Sequence, residues 1–144
     1  MSLAPGRSGE RRRSRERALE ILYEAECKGL TFDELLAELP VEPEPYAARI
    51  VAGVERDLGR IDDLLDRYAT GWPLDRMPAV DRCLMRIGCY ELLDEPDVPA
   101  AVVIDEAVEL AKTYSTEDSG RYVNGVLAAV AVAVRGGGTA PRRD

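Results

Sequence analysis

Six arginines, Arg7, Arg11, Arg12, Arg13, Arg15 and Arg17, fall within the first seventeen residues, against only Glu10 and Glu16. The other residues carry thirteen basic and twenty-five acidic side chains, and the whole chain has a net charge of −8. Guanidinium stays charged at every physiological pH and offers a planar fork of donors that fits phosphate oxygens. An acidic chain that gathers guanidinium at one end is arranged to meet an anion there and to repel anions elsewhere. Nucleic acid is the obvious polyanion, because neutralised phosphates release counterions and that release drives binding. The same block also reads as a solvated basic arm or a localisation-like stretch. The block alone does not separate these readings.

Other chemistry is poorly supplied. With no histidine there is no Ser-His-Asp or Cys-His pair, no imidazole metal ligand and no imidazole proton shuttle. Cys27, Cys83 and Cys89 lack a C-x-x-C spacing, so they make no structural zinc site and read as small core residues. No glycine-rich phosphate loop of the Walker or dinucleotide-binding type is present. Asp62, Asp63 and Asp66 could hold Mg²⁺, but a solvated helix face accounts for them without a ligand. The expectation is a protein without catalysis, cofactor or metal.

The elements that must position the arginines are helical throughout. At 144 residues the chain is one domain, long enough to bury roughly 68–70% of its unfolded surface. It lacks a membrane-length apolar run and a signal-peptide start, so a cytoplasmic location is expected. Residues 1–10 and 136–144, rich in small residues and Pro, are expected to be disordered tails around an all-α domain at 11–135.

The spacing predicts a first helix from Arg11 to Lys28, stopped by Gly29, with Ala18, Leu22 and Ala25 as its buried stripe. Arg11 and Arg15 share that stripe's azimuth. Because unpaired arginines cannot be buried, the helix is expected to overhang the core as a projecting basic rod. Thr31 and Glu34 form a capping box for a short second helix, and Pro40–Pro45 is a linker. Two stripes follow, Ile50-Val51-Val54-Leu58 and Ile61-Leu64-Leu65-Tyr68, with a break near Gly59. Helices at 78–93 and 99–114 come next, and Ser115 or Thr116 caps a last one carrying Val123, Val126, Leu127, Val130 and Val134. Six or seven helices with short connections make one bundle. Trp72 is expected to anchor the join between its halves, and Gly125 to mark close helix packing.

Several strings, in order, resemble the NusB family. They are Arg11-Arg12-Arg13-Ser14-Arg15-Glu16-Arg17-Ala18, Trp72-Pro73-Leu74-Asp75-Arg76-Met77 and Val80-Asp81-Arg82-Cys83-Leu84-Met85-Arg86. Tyr90-Glu91-Leu92, Asp97-Val98-Pro99, Asp105 through Lys112, and Tyr122-Val123-Asn124-Gly125-Val126-Leu127 complete the set. The resemblance spans about Arg11 to Val134. It implies an all-helical domain of two packed subdomains that binds the single-stranded boxA segment of nascent ribosomal RNA transcripts together with NusE. The complex it implies suppresses termination, in company with the elongation complex and other Nus factors. It assigns RNA contacts to Arg11, Arg12, Arg13 and Arg15 and to Asp118, Ser119 and Tyr122, and a protein-docking surface to Asp81, Arg82 and Arg86. Monomers and homodimers both occur in the family, and the motifs do not choose between them.

Some of these residues have plain structural readings too. Tyr122 lies at the edge of the core by pattern, where packing explains it; an edge aromatic also suits base stacking. Asp118 at a helix start needs no ligand. Two other functions remain: a helical scaffold whose arginines bind an acidic protein, and an RNA-binding domain like that of some RNA cytosine methyltransferases. The second requires a downstream catalytic domain, for which these 144 residues leave no room.

Overall fold

A computed structural model describes residues 6–136, which form seven α-helices and one short 3-10 turn. In chain order they are α1 (Gly6–Lys28), α2 (Phe32–Glu38), α3 (Pro45–Arg56), α4 (Leu58–Tyr68), the 3-10 turn Leu74–Arg76, α5 (Ala79–Asp94), α6 (Ala100–Tyr114) and α7 (Glu117–Arg135). The chain is therefore all-α, as its periodicity requires. Helix α1 begins at least one turn earlier than the spacing predicts, so residues 6–10 are helix rather than tail. The expected tails at 1–5 and 137–144 lie outside the described residues.

Local signals set the boundaries. Gly29 ends α1 with φ of 69°, the left-handed conformation that suits glycine, and Leu30 N–H then donates back to the Ala25 carbonyl at 2.9 Å. Thr31 and Glu34 form the reciprocal capping box of α2, at 3.0 and 2.8 Å. Pro45 occupies the first turn of α3, where its missing N–H costs nothing. The break between α3 and α4 falls at Asp57, two residues before Gly59. Thr116 caps α7 by accepting from Ser119 N–H at 2.9 Å.

Helices α1, α2 and α3 pack as one group and α4 to α7 as another, and α5 joins them by lying against both α1 and α3. Ala18, Leu22 and Ala25 of α1 are buried, as are Cys83, Leu84 and Ile87 of α5 and Val123, Leu127 and Val130 of α7. Two glycines let these helices approach. A Cβ on Gly53 would overlap the Tyr90 ring, and one on Gly88 would stand 2.6 Å from Leu127 Cδ1. Gly125 does not do this: nothing lies within 4 Å of where its Cβ would be, so the close packing expected there belongs to Gly53 and Gly88. Cys27 is also corrected. It is exposed near the end of α1, whereas Cys83 and Cys89 are buried. Burial pushes the Cys83 thiol up to about 11.

Candidate nucleic-acid interface

Helix α1 does not overhang the core. Arg15 is 3% exposed and Glu91 of α5 is 1% exposed, and they meet face to face. Arg15 Nε donates to both Glu91 oxygens, at 2.9 and 3.0 Å, and Nη2 lies 2.9 Å from Oε2. The Tyr46 hydroxyl of α3 donates to the same carboxylate. A guanidinium can therefore sit on the apolar stripe because a carboxylate on the stripe of α5 neutralises it. Arg15 is thus withdrawn from the set of arginines open to a ligand.

Tyr46 also organises the arginines around it. The Arg11 guanidinium carbon lies 4.1 Å from the ring centroid and that of Arg49 5.0 Å, both within cation–π range. Arg11 is half-buried there rather than projecting. Arg49 continues outward to Glu95 at 2.9 Å, and the Tyr90 hydroxyl donates to the same carboxylate at 2.6 Å. Burial opposes ionisation of Glu95, but these donors outweigh it and hold the carboxyl below its usual range.

Arg12 and Arg13 are exposed. Arg12 grips Glu106 of α6 through two bonds, Nε to Oε1 at 3.0 Å and Nη2 to Oε2 at 2.7 Å. That fork holds the Glu106 carboxyl below its ordinary value. Arg13 has no ion-pair partner among the described residues. Among the described residues Arg17 pairs only with exposed Glu20, at 3.1 Å. The arginines left at the surface of α1 are therefore Arg11, resting on Tyr46, Arg12, held by Glu106, and Arg13 and Arg17, which share a shallow cleft with Glu16, Glu20, Glu42 and Glu44.

The start of α7 holds the second candidate group. Asp118 is exposed and pairs with Arg121 one turn on. Ser119 is buried, and its hydroxyl donates to Asp81 Oδ2 at 2.7 Å while accepting from Thr116 Oγ1 at 3.0 Å. It tightens the joint between the starts of α5 and α7 and offers no polar atom outward. Tyr122 is half-buried, with its ring 5.0 Å from Trp72 at 67°. Its hydroxyl is buried without a partner among the described residues, and burial raises its pKa. Trp72 thus fastens the link after α4 to α7, whereas the contact of the two helix groups is made by α1 and α3 on α5.

Asp81 serves the fold, whereas Arg82 and Arg86 are tied into it and also line a groove at the surface. Asp81 is fully buried. Arg82 donates to the Leu74 and Met77 carbonyls, both at 2.9 Å, and pairs with Glu26. Arg86 forks onto Asp62 with two bonds of 2.9 Å and reaches Glu26 at 3.3 Å. The groove, of about 580 Å³, is lined by Glu26, Asp62, Asp66 and Asp75 together with Arg82 and Arg86, so its carboxylates outnumber its guanidinium groups.

The two candidate groups lie on different levels of the bundle. Arg15–Glu91 and Glu26–Arg82 make α1 antiparallel to α5, while Asp81–Ser119 and the Arg135 bond to the Leu92 carbonyl make α7 parallel to it. Ten residues of α5 separate the levels, about 15 Å at helical rise. Tyr114, 49% exposed at the end of α6, donates to Glu16 of α1 at 3.2 Å and stands on the way. Sequence reasoning missed it, because Tyr114 continues the spacing of the buried stripe and only the packing shows that α6 outruns the core there.

A two-group helical bundle with an arginine-studded first helix is the class of protein these features define. The sequence profile of the NusB family matches residues 12–132, and the chain belongs to that family. It is 50% identical over 130 residues to the transcription antitermination protein NusB of Saccharopolyspora erythraea, covering 85% of this chain and 87% of that one. With the protein of the same name from Kineococcus radiotolerans the identity is 47% over 125 residues, covering 84% and 92%. Among solved structures, T. maritima NusB superposes with a TM-score of 0.76 at 39% identity over 84% of this chain and 89% of that one. A NusB solved with NusE in complex with dsRNA gives 0.72 at 28% identity, over 85% and 96%. Among the described residues no helix is long and apolar enough to cross a membrane.

Proposed function

We propose that this chain is a cytoplasmic transcription antitermination factor that binds single-stranded boxA RNA of nascent ribosomal transcripts jointly with NusE. The observation that carries the reading is the braced basic surface: Arg12 and Arg13 stand exposed on an otherwise acidic protein, with Arg11 seated on Tyr46 beside them. Tyr46 beneath Arg11 and Glu106 beside Arg12 hold these two guanidinium groups before a ligand arrives, which lowers the ordering cost of binding. Tyr122 adds the exposed part of its ring for stacking, and Asp118, exposed beside Arg121, adds a carboxylate at the α7 start.

The acidic groove over Arg82 and Arg86 suits NusE, which as a ribosomal protein is expected to be basic. Docked there, a basic partner covers negative surface and extends the positive track. RNA affinity should therefore rise when both proteins are present, and by linkage RNA must tighten the protein pair equally. A filter-binding titration against boxA-like, scrambled and duplex RNA, with and without NusE, tests this. The expected result is preference for the boxA-like single strand and a marked gain on adding NusE. Changing Asp66 and Asp75 to Lys should remove the gain while RNA binding by the isolated chain is not weakened. No gain on mixing, with no preference among strands, would point to a helical scaffold instead.

A further inference from the structure

The Asp97-Val98-Pro99 string and the acidic face of α6 take no part in holding phosphates, yet they meet the arginines in one place. A cleft of about 280 Å³ lies between the beginnings of α1 and α6, bordered by Arg11, Asp97, Val98, Pro99, Val102 and Glu106. Val102 stands 41% exposed at it. Arg15 and Glu106 at the cleft are already paired with Glu91 and Arg12, which leaves the Arg11 guanidinium and the Asp97 carboxylate there to cancel each other. A neutral, partly apolar cleft in the middle of a basic surface is poorly suited to phosphate. It suits a flat group with apolar faces and a polar edge. The volume is just under the range of about 300–1,000 Å³ that drug-sized ligands occupy, enough for one such group.

We infer that this cleft is a subsite for a single unstacked nucleobase carrying an exocyclic amino group. This rests on the RNA-binding reading above and deepens it. Arg11 is held over Tyr46, so its planar guanidinium is a fixed surface on which a base can stack. Val98, Pro99 and Val102 give apolar contact. Asp97 has no ion-pair partner among the described residues, and its carboxylate accepts from an amino group such as cytosine N4. Uracil presents a carbonyl at that position, which a carboxylate repels. Glu106, already forked by Arg12, keeps the rim in place and links the base subsite to the phosphate-holding arginine beside it.

Fluorescence anisotropy with a short oligouridylate and a strand of the same length with cytidines interspersed tests the subsite. The parent should bind the cytidine-containing strand about fivefold or more tightly, the lower end of one good base contact. Asp97→Ala should bring the ratio close to one without weakening oligouridylate binding, because it removes a negative charge. Val102→Lys separates filling from charge. It should tighten binding of oligouridylate and collapse the ratio, since the lysine stem occupies the cleft. An unchanged ratio in both variants, or no preference in the parent, overturns the subsite while arginine-dependent RNA binding stands. A parent that binds neither strand overturns the RNA-binding reading itself.

Discussion

Arg15 and Glu91 show how a charged residue can be part of a core. Bringing both charges out of water is costly, and three donors on one carboxylate are what offset it. Removing one partner leaves the other buried and alone. Arg15→Gln should therefore cost on the order of 3–5 kcal/mol of stability in urea denaturation, whereas Arg12→Gln and Arg13→Gln should each stay within about 0.5 kcal/mol. Tyr122 makes the opposite case, because its hydroxyl is buried and unsatisfied. Tyr122→Phe should be neutral or stabilising in melting temperature and bind RNA like the parent. Tyr122→Ala should lose on the order of 1–3 kcal/mol of RNA affinity in the folded protein. An Ala variant that melts lower but binds normally would make Tyr122 a packing residue only. Half of the Arg15 network was legible in the sequence, for Arg15 falls on the apolar stripe of α1 and Glu91 lies four residues beyond Ile87 on that of α5. Their pairing across 76 residues was not, since no local pattern says which stripes will face each other.

At the scale of elements, glycines divide by what surrounds them. Gly125 is exposed in mid-helix with open space at its missing Cβ. Gly125→Ala should raise stability by about 0.5–1 kcal/mol by removing the cost of glycine in a helix. Gly53→Ala should lower it by about 1–3 kcal/mol, because the added carbon forces the Tyr90 ring and α5 to move. Paired thermal melts give both signs, and a destabilising Gly125→Ala would show that this position has a packing role after all. Caps and stripes placed the helices well from sequence: the Thr31–Glu34 box, Pro45 and Thr116 each sit where their chemistry demands. The start of α1 was misplaced because Gly6, Ser8 and Gly9 are poor helix formers, yet residues 6–10 are helical in continuation of the helix that follows. Cys27 was misjudged and Tyr114 missed for a shared reason. Periodicity gives a residue's azimuth on a helix but not where along that helix the neighbouring elements stop.

The whole molecule carries its charge unevenly, with net −8 overall and six arginines within the first seventeen residues. The acidic body repels a strand beyond the arginines, so binding by the isolated chain should be weak, modestly salt-dependent and local to α1. Of the four arginines assigned to RNA, Arg15 is withdrawn into the core, which leaves about three backbone contacts, one each from Arg11, Arg12 and Arg13. For a single strand that sets a slope of log affinity against log salt of roughly −0.7 per contact, about −2 in all. The direct measurement is that slope, taken on a boxA-like single strand with the parent and with Arg11, Arg12 and Arg13 all changed to Gln. The parent should give about −2, and the triple variant should lose most affinity and flatten the line while its helical circular dichroism stays that of the parent. A variant that stays folded yet keeps the parent's affinity and slope would contradict the account, because the strand would then be held somewhere other than the braced arginines of α1.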